Sequence, residues 1–370
     1  MRPTRAHVDL DAVRHNVGVL ADALAPAGVC AVVKADGYGH GALAVSRAAL
    51  EAGASWLAVA LVEEGAVLRK AGIDAPVMLL GQPQGRDLAA ALRWDLRVAV
   101  YSDDAPEVVA AAADAAGTRA RVHLKVNTGM NRLGVDPAGA VALARRLAAE
   151  GSLDLEGVWT HCATADEPGD PFTDVQLDRF DDVLAQLTAE GLRPPLTHAA
   201  NSAAGVGHPR ARHDLVRCGI SVYGLAPAPP LAGALDLRPA MRLTSVVAHT
   251  MRVRAGDGVS YGLRHRFDAD TVVATIPIGY ADGVPRRLSS SGGEVLIGGR
   301  RRPMVGVVTM DMLMVDCGPD GDVAVGDEVV LLGSQGDESV GAWDWAEATG
   351  TIAYEIVCGI GPRVARHYHG

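Results

Sequence analysis

From about residue 29 to residue 225, short apolar runs alternate with longer stretches whose apolar positions recur three or four apart. The short runs are Val29–Val33, Trp56–Ala60, Val77–Leu80, Arg97–Tyr101, Val122–Val126, Leu155–Thr160, Leu196–His198 and Asp214–Val216. The stretches between them are rich in alanine, and Phe180, Val183, Leu184 and Leu187 show the helical spacing clearly. Strands that are apolar throughout belong to parallel sheets covered by helices on both faces. Strand-then-helix units in this number predict an α/β fold, a (β/α)8 TIM-like barrel. An open doubly wound sheet is the alternative that periodicity alone leaves standing. Ahead of the first unit, Ala6–Leu10 reads as a short strand, and Val13, Val17, Leu20 and Leu24 mark an amphipathic helix.

After Pro227-Ala228-Pro229-Pro230 the pattern changes. Alternating strands follow, broken by the turn pairs Gly256-Asp257, Gly292-Gly293, Gly298-Gly299 and Gly326-Asp327. This predicts a C-terminal β-rich domain closed by a short helical tail around Trp343–Cys358. The expected boundaries are residues 1–240 for the barrel and 241–370 for the β-domain, with the N-terminal strand free to join the second.

Composition narrows the function. Hydrophobic residues make up 49% of the chain, enough for a sizeable core. A net charge of −10 argues against nucleic acid or an anionic membrane surface as a partner. Five dispersed cysteines form neither a disulfide framework nor a CxxC metal site, which points to a reducing compartment and to no metal. The segment Met1–His7 lacks the apolar stretch of a signal peptide, and no uncharged apolar run reaches membrane-spanning length. The expectation is a cytoplasmic protein.

Functional groups in a barrel of this class gather at the C-terminal ends of the strands. The polar residues at those ends are Lys34, Lys125, His161, Ser202 and Arg217. Singly, each could be a satisfied rim residue; together at one end they indicate a site. Of the 34 basic residues only Lys34, Lys70 and Lys125 are lysines, so a lysine at a strand end is notable. Desolvation there lowers a lysine pKa and favours the free amine that imine formation requires. The series Gly37, Gly39, Gly41 reads GxGxG rather than GxGxxG, so a dinucleotide loop is discounted.

Val33-Lys34-Ala35-Asp36-Gly37-Tyr38-Gly39-His40-Gly41 resembles the pyridoxal-phosphate attachment motif of the bacterial alanine racemases. The resemblance runs through Arg2-Pro3-Thr4, Asp9-Leu10-Asp11-Ala12, Lys125–Arg132 and His198-Ala199-Ala200-Asn201-Ser202. It continues in Arg217-Cys218-Gly219-Ile220, Gly258–Gly262, Gly279–Gly283, Met310-Asp311 and Thr351–Glu355. It implies a barrel that binds pyridoxal 5'-phosphate, a C-terminal β-domain, and interconversion of L- and D-alanine by two bases, supplying D-alanine for peptidoglycan.

The same resemblance implies roles. Lys34 would hold the cofactor through an imine and act as one base. Tyr261 would be the other, since racemisation removes a proton from one face and returns it to the opposite one. A tyrosine is a poor base near neutrality unless supported; His161 and Arg217 would support it, and Asp311 would assist Tyr261 or its neighbours. Arg217, held by His198, would face the pyridine nitrogen and, as a poor proton donor, leave it largely unprotonated. Tyr38, Asn201, Ser202, Gly219, Ile220 and Tyr354 would bind the cofactor, chiefly its phosphate. Arg132 and the Met310 N–H would take the substrate carboxylate. Lys125 matches a lysine that many relatives carbamylate; a plain lysine is the alternative. Tyr280, Val307 and Ile352 would line the approach path, and each site would be shared within a homodimer.

Two departures stand out: Asp36-Gly37 replaces the usual Asn-Ala, and Val307 replaces an arginine on the approach path. The first touches no reacting atom in the family picture, whereas the second bears on access and substrate range. A racemase of broader range, a non-catalytic pyridoxal-phosphate carrier and a fold-related decarboxylase are the competing readings. The carrier lacks the extension bearing Tyr261 and Met310. The decarboxylase would need a catalytic cysteine such as Cys317 or Cys358, whose surroundings do not match.

Overall fold

The computed structural model describes residues 3–370, so Arg2 of the N-terminal motif lies outside the described residues. After strand β1 (Arg5–Asp9) and the helix Leu10–Leu24, eight strands follow in order. They are β2 (Gly28–Val32), β3 (Ala54–Val59), β4 (Val77–Leu79), β5 (Val98–Val100), β6 (Ala120–Lys125), β7 (Leu153–Trp159), β8 (Leu196–His198) and β9 (Leu215–Cys218). Pairing is parallel in β4-β3-β2-β9 and in β5-β6-β7-β8. Parallel bridges Met78↔Arg97 and Asn201↔Arg217 join the two arcs into a closed barrel. The open-sheet alternative is thereby excluded.

Each strand lies within two or three residues of its predicted run, because apolar side chains on both faces leave an unmistakable trace. The helix Leu10–Leu24 buries the predicted Val13, Val17, Leu20 and Leu24. Arg217 differs from expectation. It sits inside β9 rather than after it, where both terminal guanidinium nitrogens find acceptors.

The chain divides into two compact units. One, the barrel unit, comprises Ala12–Gly37 and Ala42–Arg238. The other gathers the chain up to Asp11, the short segment Tyr38–Gly41, and Pro239–Gly370.

The second unit is built on β1 with β10 (Met241–Val246), β11 (His249–Val253), β12 (Gly258–Val259), β13 (His265–Arg266) and β14 (Thr271–Ile276). It continues with β15 (Glu294–Ile297), β16 (Arg300–Val305), β17 (Leu313–Asp316), β18 (Glu328–Gln335), β19 (Glu338–Val340) and β20 (Ala365–His369). The main sheet runs β11-β14-β17-β16-β15-β18-β10-β1-β20. Gly298 and Gly299, both with positive φ (63° and 72°), make the two-residue β15–β16 hairpin turn. The predicted helical tail is present as Ala342–Thr349 and Ala353–Gly359, but the chain then ends in β20, parallel to β1. Among the described residues no helix is long and apolar enough to cross a membrane.

Candidate active site

At the end of β2 the backbone turns left-handed at Ala35, Asp36, Gly37 and Tyr38, with φ of 53°, 51°, 60° and 52°. Each non-glycine residue there costs about 1–2 kcal/mol, strain that persists only where the surroundings hold it. Here they do. The Gly37 amide donates to the Val33 carbonyl (2.9 Å), Ala35 N–H to Glu64 Oε1 (2.7 Å), and Ala42 N–H to Asp36 Oδ1 (2.9 Å). Lys34 is thus fixed between a barrel strand and a braced turn, half-buried rather than sealed.

Arg217 is the most enclosed of the candidate cations, only 3% exposed. Its Nη2 donates to the Thr160 and Ala199 carbonyls, both at 2.8 Å, and to His161 Nδ1 at 3.1 Å. Its Nη1 donates to His198 Nδ1 at 2.8 Å. Trp159 lies beneath, its ring centroid 4.7 Å from the guanidinium carbon and stacked on His198. Among the described residues no carboxylate pairs with Arg217; Asp214 instead accepts from the Thr197 N–H at 2.7 Å. Burial brings the guanidinium down to about 10, still cationic near neutrality. Its Nε has no protein acceptor among the described residues.

Lys125, at the end of β6, lies 4.2 Å above the Trp159 ring. Burial, then the charges of Arg217, Arg132 and Lys34, lowers its amine to about 7. Burial, followed by Arg217, Arg132, Lys125 and Lys34, also holds His161 well below the ordinary imidazole range. The charges that lower Lys125 and His161 are all positive, a field that favours an anion beside them.

Ser202 and Gly219 meet where the Gly219 N–H donates to Ser202 Oγ at 2.8 Å, immediately before the turn Ile220–Tyr223. The Asn201 side chain caps the helix Ser202–Gly207, accepting from Ala204 N–H at 2.9 Å. Arg132 stands exposed on a loop braced by Asn127, whose Oδ1 accepts from the Asn131 N–H at 2.9 Å.

In the other unit, the Tyr38 and Tyr354 rings lie 6.1 Å apart. Burial raises the Tyr38 hydroxyl well above its usual value, so it remains a neutral donor. Tyr261 opens a tight turn flanked by Ser260 and Gly262 at positive φ, and is 73% exposed. Ser260 Oγ donates to the Val307 carbonyl (2.9 Å), tying that turn to the segment before Met310. Tyr280 N–H donates to the Thr309 carbonyl (2.9 Å) and Ala281 N–H to the Met310 carbonyl (3.1 Å). Asp311 pairs with Arg363 at 2.6 Å, and Arg363 also reaches buried Asp282 at 3.2 Å. Ile352 is exposed beside the helix carrying Tyr354. Cys317 is buried and its thiol is raised by burial, a poor nucleophile.

The description "Alanine racemase, N-terminal domain" matches residues 8–227, and "Alanine racemase, C-terminal domain" matches residues 240–368. The chain belongs to the alanine racemase family. An alanine racemase of Symbiobacterium thermophilum is 50% identical over 370 residues, covering 100% of this chain and 98% of the relative. One from Thermobifida fusca is 46% identical, covering 99% and 98%. The crystal structure of alanine racemase from D-cycloserine-producing Streptomyces lavendulae superposes with a TM-score of 0.95 at 45% identity, covering 100% and 98%. That of alanine racemase from Bacillus anthracis with bound L-Ala-P gives 0.93 at 39% identity, covering 100% and 96%.

Within this alanine racemase fold the barrel unit brings together Lys34, Lys125, His161, His198, Ser202, Arg217, Gly219 and Ile220. Tyr38, Tyr261, Tyr280, Val307, Met310, Asp311, Ile352 and Tyr354 belong to the other unit. Sequence reasoning missed His123 and Glu156. His123 lies on β6 with Nδ1 3.0 Å from His198 Nε2, and its Nε2 is 3.0 Å from Glu156 Oε2. The available signal was a histidine within the apolar run Val122–Val126 and a glutamate within Leu155–Thr160.

Proposed function

We propose that this chain interconverts L- and D-alanine with pyridoxal 5'-phosphate, in the cytoplasm, supplying D-alanine for peptidoglycan. The observation that carries the reading is the convergence of Lys34, Lys125, Arg132 and Arg217 on one barrel end. Such a site suits a phosphate and a substrate carboxylate together.

The residues fit the cofactor. Arg217 Nε is a donor without a protein acceptor, suited to a ring nitrogen. The Ser202 hydroxyl, the backbone of Gly219-Ile220 and the hydroxyls of Tyr38 and Tyr354 would hold a phosphate dianion, with Asn201 shaping the loop. Bound there, the cofactor supplies an electron-withdrawing ring that acidifies the α-proton of an amino acid. Lys34 anchors it and takes or returns a proton at Nζ on one face. Tyr261 does the same at its hydroxyl on the other face, supported by His161. Arg217 donates without giving up its proton, which restrains side reactions. Arg132 and the Met310 N–H orient the substrate carboxylate. A Lys125 amine near 7 is nucleophilic enough to take up carbon dioxide, and the resulting anion would hold Arg132 in place.

A homodimer with shared sites belongs to the same proposal, each site combining Lys34 of one subunit with Tyr261 of the other. The exposure of Tyr261, Leu263, Met310, Met312 and Ile352 supports a partner surface there. The test is chiral analysis of products from L-alanine incubated with the cofactor-loaded chain. Formation of D-alanine, lost in Lys34→Ala, is the expected result; no D-alanine from well-loaded protein would overturn the proposal.

A further inference from the structure

A barrel interior is ordinarily filled by layers of branched apolar side chains. Here a polar column runs inside it, from Arg217 through His198 and His123 to Glu156, and on to Arg97, whose Nε is 3.5 Å from Glu156 Oε2. Both imidazoles are fully buried. A polar column gives no automatic advantage in stability over apolar packing, so its presence calls for another account.

Its hydrogen-bond direction is fixed from both ends. Arginine can only donate, so His198 Nδ1, 2.8 Å from Arg217 Nη1, must accept. The His198 proton then sits on Nε2 and is donated to His123 Nδ1. The His123 proton sits on its own Nε2 and is donated to Glu156 Oε2. An ionised carboxylate can only accept, which closes the chain of logic at the far end. Burial would raise the Glu156 carboxyl, but the His123 hydrogen bond and the charges of Arg97 and Arg121 outweigh it and keep it low. Burial holds both imidazoles below their ordinary range, in keeping with one proton each.

The backbone accommodates this column at two points. The β6–β7 register shifts between Val122 and His123, so that Val122 faces Leu155 and His123 faces Gly157. Glu156 is the extra residue, a bulge that re-aims a side chain. Gly157 leaves the space that the His123 ring occupies.

We infer that Glu156 and His123 are positioning residues for Arg217, fixing the tautomer of His198 so that its Nδ1 lone pair holds the guanidinium in one orientation. Without the Glu156 acceptor, His123 can carry its proton on Nδ1 instead. That would force the His198 proton onto the nitrogen facing Arg217, donor against donor, and the guanidinium would swing away. The use of Arg217 rests on the racemase reading; the proton positions do not.

Neutron diffraction from deuterium-exchanged crystals of the full chain with cofactor reads those positions directly. Deuterium on Nε2 of His123 and His198, and on neither Nδ1, is expected. Deuterium on His198 Nδ1, or on both nitrogens of His123, would overturn the inference. Kinetics supply the second arm. Glu156→Leu should lower kcat about tenfold or more, the order seen when a supporting hydrogen-bond partner is lost, with KM for alanine little changed. Glu156→Gln keeps an acceptor and should recover most of kcat. Equal losses in the two variants, tracking their melting temperatures, would mean that the column only fills space, and the inference fails. Should Glu156→Leu not fold, the neutron map and the kcat of Glu156→Gln still decide. If the unaltered chain racemises nothing, the functional reading fails, while the proton positions are read regardless.

Discussion

Gly157 stands directly opposite His123 in the β6–β7 ladder, and a methyl group added there would lie 2.4 Å from the imidazole Nδ1. That ring cannot retreat freely, since His198 and Glu156 hold its two nitrogens. Gly157→Ala should therefore destabilise the fold by about 1–3 kcal/mol through overpacking. The expected melting temperature is a few degrees lower. An unaltered melting curve would show that the ring has room to move.

Lys125 gives a pH dependence of definite sign. Folding lowers its amine to about 7, so above that value the unfolded chain binds a proton that the folded chain does not. Its contribution is therefore destabilising below about 7 and disappears as pH rises toward the unfolded value near 10.5. In carbon-dioxide-free buffer without cofactor, Lys125→Met should melt above the parent at pH 6.5, with the gap closing by about pH 10. A gap that stays constant with pH would mean the amine is not lowered. Admitting bicarbonate should shrink it at neutral pH, as the amine becomes an anion among cations.

Val307 removes a positive charge from the proposed approach path. Restoring it with Val307→Arg should lower KM for alanine and leave kcat nearly unchanged, an effect weakened by salt. The parent should also accept larger amino acids more readily than the variant, as a panel of L-amino acids would show. A large shift in kcat with KM constant would assign Val307 a role other than access.

The shared-site proposal is tested by mixing two chains that are each nearly inactive, Lys34→Ala and Tyr261→Phe. In a heterodimer one site carries both lesions and the other neither. Activity should return on subunit exchange, to about half the parental value per heterodimer if the sites act independently. No recovery, with exchange verified by mass spectrometry, would put both bases in one chain.

The eight barrel strands were readable because each is apolar on both faces, a trace that survives without any knowledge of its neighbours. Strand β20 was not. Its residues Ala365–His369 are partly or fully exposed and nearly all polar, so no alternation marks them. What makes them a strand is backbone pairing with β1, more than 350 positions away in the chain. Lys34, Lys125, His161 and Arg217 could be found because each interrupts or ends an apolar run. His123 and Glu156 interrupt such runs as well, but their meaning lies in partners 75 and 33 positions distant. The bulge that turns Glu156 inward leaves no trace in the order of residue types.

The pairing of β1 with β20 also bears on the order in which the two units can form. Arg5–Asp9 are made before every barrel strand, yet one edge of that strand is covered by Ala365–His369, far later in the chain. The other edge is covered by β10, at Met241–Val246. Throughout synthesis of the barrel unit β1 has neither neighbour, and its second edge stays uncovered until Ala365–His369 have been made. Contacts of such sequence separation are slow to form, and an unpaired edge is exposed to other chains meanwhile. The barrel unit, whose strands pair within Gly28–Cys218, has everything it needs to fold while still tethered. The second unit can close its sheet only after the whole barrel unit has been made.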